Sequence, residues 1–124
     1  MRMLKIAAVV IAPLLLLPST ALPRSTYAPA TLDYYFTLDW KLVDSPKGPV
    51  IEGFVYNRYN VRTDRMQLSI DQLDAAGQVV GTTSTWVIGG VPPNNRTWFT
   101  TRVPRAASYK VEILSFEWVN RGGA

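Results

Sequence analysis

Tyr34-Tyr35-Phe36-Thr37-Leu38-Asp39-Trp40-Lys41-Leu42-Val43 is the stretch that decides the fold. Tyr34, Phe36, Leu38, Trp40 and Leu42 alternate with Tyr35, Thr37, Asp39, Lys41 and Val43. Side chains two apart share a face only in a strand, so the stretch reads as a β-strand with one buried side. The same period recurs downstream. Over residues 50–57, Ile51, Gly53 and Val55 share one face, and Val50, Glu52, Phe54 and Tyr56 share the other. Met66, Leu68, Ile70 and Gln72 alternate with Gln67, Ser69, Asp71 and Leu73. Residues 78–87, 96–103 and 109–119 complete the expected strands.

Turn signals separate these runs. Asp44-Ser45-Pro46-Lys47-Gly48-Pro49 carries two prolines and a glycine, which interrupt a ladder. Asp74-Ala75-Ala76-Gly77 has the Asp and Gly placement of a four-residue hairpin loop. Gly89-Gly90-Val91-Pro92-Pro93-Asn94-Asn95 is a third break, and residues 104–108 a fourth. Strands spaced by roughly 8–16 residues with frequent turns and no helical period imply an antiparallel β-sandwich over residues 33–119.

Outside that span the composition changes. Arg2 and Lys5 precede an apolar run from Ile6 to Leu17, and Ser19, Thr20 and Ala21 are small. Charge, apolar run and small residues in that order describe a secretory signal peptide over residues 1–21. Ala28-Pro29-Ala30 offers a second cleavage point. The alternative is an uncleaved anchor, but a spanning helix needs about 20 apolar residues and Pro13 interrupts this run. Cleavage leaves no stable membrane anchor and points to a periplasmic or secreted protein. Residues 22–32, rich in Pro, Ser, Thr and Ala, read as a flexible arm, and 120–124 as a disordered tail.

Thirteen Lys and Arg stand against nine Asp and Glu. Without Arg2 and Lys5 the balance is eleven against nine, a net charge of +2. Both signs are interspersed, so nucleic acid is not an expected partner. The chain contains no Cys and no His. Imidazole-dependent nucleophilic catalysis is therefore absent, as are the usual thiolate and imidazole metal sites. No glycine-rich phosphate loop is present, since Gly89-Gly90 precedes prolines. No cofactor is expected. Asp71 and Asp74 could form a carboxylate pair for hydrolysis, but turn chemistry explains Asp74 better and solvation explains Asp71.

Aromatic residues carry the functional signal: four Trp, six Tyr and four Phe. The first and last strands are apolar on both faces near one end. Tyr34, Tyr35, Trp40, Phe116 and Trp118 therefore form the candidate interaction surface. The competing reading is a β-bulge that flips the register and sends these rings into the core. Trp98, Trp86 and Tyr56 are candidates for stacking on sugars. Arg58, Arg62 and Arg65 are candidates for contact with an anion, against the plainer reading of a solvated loop at a sheet edge.

Ile51-x-Gly53-x-Val55-x-Asn57, Leu68-Ser69-Ile70, Leu73-Asp74-x-x-Gly77-Gln78-Val79-Val80-Gly81, Arg96-x-x-Phe99 and Tyr109-Lys110-Val111 together resemble the FxLYD-type domains. The resemblance covers residues 50–113. It implies an immunoglobulin-like antiparallel β-sandwich of six to seven strands on an exported bacterial protein. The long aromatic first strand and Phe116-Glu117-Trp118 depart from the family pattern. The family brings no established catalytic site, so no residue role transfers. The expected function is an exported, non-catalytic binding or scaffold module for a protein or envelope partner. The alternative is a carbohydrate-binding module.

Overall fold

The computed structural model of the protein describes residues 28–119. The expected leader (1–21), most of the arm and the tail (120–124) lie outside them. One short helix, α1 (Pro29–Tyr35), precedes six strands. These are β1 (Phe36–Ser45), β2 (Gly48–Asn57), β3 (Thr63–Leu73), β4 (Val79–Val87), β5 (Asn95–Arg102) and β6 (Ser108–Trp118). They form two three-stranded sheets of order β1-β2-β5 and β4-β3-β6. Every pairing is antiparallel. The protein is therefore an all-β sandwich, with six strands among the described residues, as the period of two predicts.

The first described residues differ from the sequence reading. Tyr34 and Tyr35 end a helix and do not open a strand, and residues 29–32 are helical where an arm is expected. Pro29 at the first helical turn presets φ and has no N–H to leave unsatisfied. Leu32 and Tyr35, one turn apart, both pack against the core. Arg58 fastens the helix to the sheet. Its guanidinium donates to the Asp33 carbonyl and the Thr37 hydroxyl, and its backbone N–H donates to the Tyr35 carbonyl at 2.8 Å. The next turn is tighter than expected, because Pro49 stays in the ladder opposite Asp44 and only Pro46 and Lys47 lie outside the strands.

β2 is central in its sheet, and its burial alternates along the whole strand. Ile51 and Val55 point inward and join Leu68, Ile70, Phe99 and Ile113 in one buried cluster. Burying a side chain of that size contributes about 1.5–3 kcal/mol. Gly53 lies on the same face opposite Trp40. A Cβ there would sit 2.1 Å from the Asp39 carbonyl oxygen and 2.6 Å from the Trp40 Cα. The two strands approach so closely that only hydrogen fits.

Asn57 ends β2 and joins the crossings between sheets. Its buried amide donates to the Val61 and Val91 carbonyls at 2.8 and 3.3 Å, and its Oδ1 accepts the Tyr59 N–H at 2.9 Å. Val91, in the connection from β4 to β5, also exchanges backbone hydrogen bonds with Thr63. At the β3–β4 turn, Asp74 Oδ1 accepts the Ala76 and Gln78 N–H groups at 2.9 Å each. Gly77 supplies the positive φ of 83° that this turn needs.

Gly53→Ala should lower stability by about 1–3 kcal/mol in urea denaturation, because β1 must move to admit the methyl group. Asn57→Ala should cost about 1–3 kcal/mol through the buried groups it leaves unpaired. A midpoint unchanged in either variant would contradict these roles.

Candidate binding face

Because β2 turns Ile51, Val55 and Asn57 inward, Phe54 and Tyr56 must stand on the outer face of the β1-β2-β5 sheet. The β5 register adds Trp98 opposite Phe54 and Arg96 opposite Tyr56. Phe99 takes the inward position and is buried. The Phe54 and Trp98 rings meet edge to face at 5.2 Å, and Phe54 and Tyr56 lie 6.2 Å apart. Such pairs add about 0.5–1.5 kcal/mol beyond burial and hold each other's rotamers.

Arg96 lies across this row. Its guanidinium carbon is 4.1 Å from the Phe54 ring centre and 5.8 Å from that of Tyr56. Its Nη1 donates to the Tyr56 hydroxyl at 3.2 Å. The cation is thus held by ring faces and a neutral hydrogen bond, and among the described residues no carboxylate forms an ion pair with it. Trp98 remains 46% exposed beside it. Further along the face, Lys41 Nζ and Glu52 Oε2 are 3.8 Å apart. The result is an aromatic platform with a stacked cation on the outer face of the sheet.

The expected interaction surface lies elsewhere and is mostly interior. Phe116 is 6% exposed and belongs to the core. Trp118, Tyr35 and Trp40 are half-buried against that core, and only Tyr34, at 72%, is open to solvent. Phe36, Phe116 and Trp118 form a ring cluster with centroids 4.9–5.7 Å apart. Tyr35 and Tyr59 extend it at 5.1 and 5.2 Å from Trp118. The cause is the register. Gln67 faces Ser115 while Leu68 faces Ile113, so Leu114 is an extra residue in β6. That bulge reverses the alternation and turns Phe116 and Trp118 inward. A second irregularity falls between Asp64 and Gln67, where Arg65 has φ 52°.

The three arginines do not converge on one anion site. Arg58 clamps α1, Arg62 donates to the Gly89 carbonyl, and Arg65 Nε lies 3.4 Å from Glu117 Oε2. The aspartates likewise have local roles. Asp71 Oδ1 accepts the Thr82 hydroxyl at 3.0 Å, and Asp74 shapes its turn. Among the described residues no group of three or more Asp or Glu could hold a metal ion. No helix among them is long and apolar enough to cross a membrane. Of the aromatics considered for sugars, Trp98 and Tyr56 lie on the platform. Trp86, 52% exposed, lies on the outer face of the other sheet, opposite Gln67.

Phe54 and Arg96 had no functional reading from sequence. The signal was present in β2, whose outward positions carry rings where a sandwich strand normally carries polar groups. Comparison with protein-family models, curated proteins and solved structures finds no match to this chain.

Phe116→Ala should cost about 3–5 kcal/mol by emptying a core site. A thermal melt indistinguishable from the parent protein would return Phe116 to the surface.

Proposed function

We propose that the protein is an exported, non-catalytic binding module whose docking face is the Phe54-Tyr56-Arg96-Trp98 platform, and that its ligand is another protein. The observation that carries this reading is Arg96 stacked at 4.1 Å over Phe54 beside the half-exposed Trp98. Trp, Tyr and Arg are the residues that dominate binding energy at protein interfaces. Their conformational freedom is already restricted here by mutual packing, so less entropy is lost on docking. Export rests on the charge, apolar run and small residues of 1–21. Kinship with FxLYD-type domains is part of the same proposal and rests on the residues between 50 and 113. The lack of His and Cys supports a non-catalytic role.

A second reading is glycan binding through Trp98. Its half-exposed ring favours it. Arg96 counts against it, because the guanidinium occupies a face of Phe54 that a sugar would need.

A photoreactive amino acid at position 98, in the cell that produces the protein, should cross-link one discrete protein. The same group at Ser84, on the other sheet, should not. Arg96→Ala should reduce the cross-link about tenfold with the melting temperature nearly unchanged. Equal labelling from positions 98 and 84 would sink the proposal. Glycan-array binding that Trp98→Ala removes, with no protein adduct, would favour the second reading.

A further inference from the structure

One side of the sandwich is incompletely closed. β1 and β6 form it, whereas β4 and β5 draw together on the opposite side. At one end Phe36 of β1 packs on Phe116 and Trp118 of β6, and at the other Arg105 Nη2, in the connection from β5 to β6, lies 3.4 Å from Asp44 Oδ1 of β1. Between these closures, inward-pointing apolar side chains remain accessible. Leu42 shares the inward face of β1 with Phe36, by alternation, and is 50% exposed. Leu38 and Trp40 on β1, and Tyr109 and Val111 on β6, are only partly buried.

Over residues 109–113 the outer edge of β6 carries no further strand among the described residues. In the seven-stranded immunoglobulin arrangement a last strand pairs with the outer edge of the sixth. Among the described residues none occupies that place, and β6 pairs only with β3. Natural sheet edges are kept from self-association by charged side chains, prolines or bulges, and like charges set directly opposite each other in a strand pair repel. Here the outward side chains of the regular segment, Lys110 and Glu112, have opposite signs and lie 3.0 Å apart.

We propose that this side docks a second copy of the chain, with β6 pairing antiparallel to its counterpart about a two-fold axis at Val111. In that register Lys110 faces the second copy's Glu112, and the reverse, by symmetry. Tyr109 faces the second copy's Ile113, so inward residues stay with inward residues. An axis at Lys110 or at Glu112 would set like charges against each other, which is unfavourable in a strand pair. On β1, Asp39 and Lys41 repeat the alternation of sign on the outer face, so the two β1 edges do not repel when brought alongside. Pairing satisfies the edge and covers Leu42, Trp40 and Val111. The Phe54-Trp98 platform stays free, so the dimer presents it twice.

Sedimentation equilibrium tests this on the protein as the producing cell matures it, over about 1–200 μM, where weak dimers dissociate. The native protein should be dimeric in the upper part of that range. Lys110→Glu and Glu112→Lys should each weaken the dimer about tenfold, and the double exchange should restore it. Val111→Cys, in a chain without other cysteine, should give an oxidised dimer, while Ser84→Cys should not. A native protein that is monomeric throughout, as expected if another segment or a foreign strand fills the edge, overturns the proposal. So does a double exchange that fails to restore the dimer, or a Val111→Cys variant that does not cross-link. Loss of the partner adduct at position 98 would not affect any of these results.

Discussion

The structure depends on the fixed register of β2. Its inward side chains fill the core between the sheets, and its outward side chains build the aromatic platform. A slip of one residue would exchange the two sets, burying Glu52 and exposing Ile51. Three features hold the register. Gly53 admits the β1 backbone at a distance no other residue allows. Asn57 ties the end of the strand to both neighbouring crossings. Phe99, buried opposite Gly53, fixes β5 so that Trp98 must face outward. Core and platform are therefore consequences of one alignment.

Much of this was legible in the sequence. The period of two marks each of the six strands, the Asp74 turn follows from its residue types, and the Gly inside β2 signals a close approach. The helix over Pro29–Tyr35 was not legible, because Tyr34 and Tyr35 continue the alternation of β1 by coincidence. Pro29 at a first helical turn and the Arg58 clamp, 25 residues from Asp33, decide their conformation. The second contribution is tertiary and has no local trace.

The aromatic end of β6 shows a different limit. Phe116 and Trp118 look outward if alternation is continued from Ile113. One extra residue, Leu114, turns them inward, and a bulge in the middle of an apolar run has no distinctive composition. The platform is legible only in part, because Tyr56 and Trp98 stand out as candidates for stacking whereas Phe54 and Arg96 do not. The alternation groups Phe54 with Val50, Glu52 and Tyr56, but a ring on one face of a strand is ordinary. It becomes a site only when β5 sets Trp98 and Arg96 beside it, a pairing that depends on strand order.

The central claim is this division of the aromatic residues between interior and platform. Hydroxyl-radical footprinting read by mass spectrometry tests it residue by residue. Trp98, Trp86 and Tyr34 should oxidise fastest, while Phe36, Phe99 and Phe116 should be protected. Oxidation of Phe116 and Trp118 at the rate of Trp98 would contradict the account.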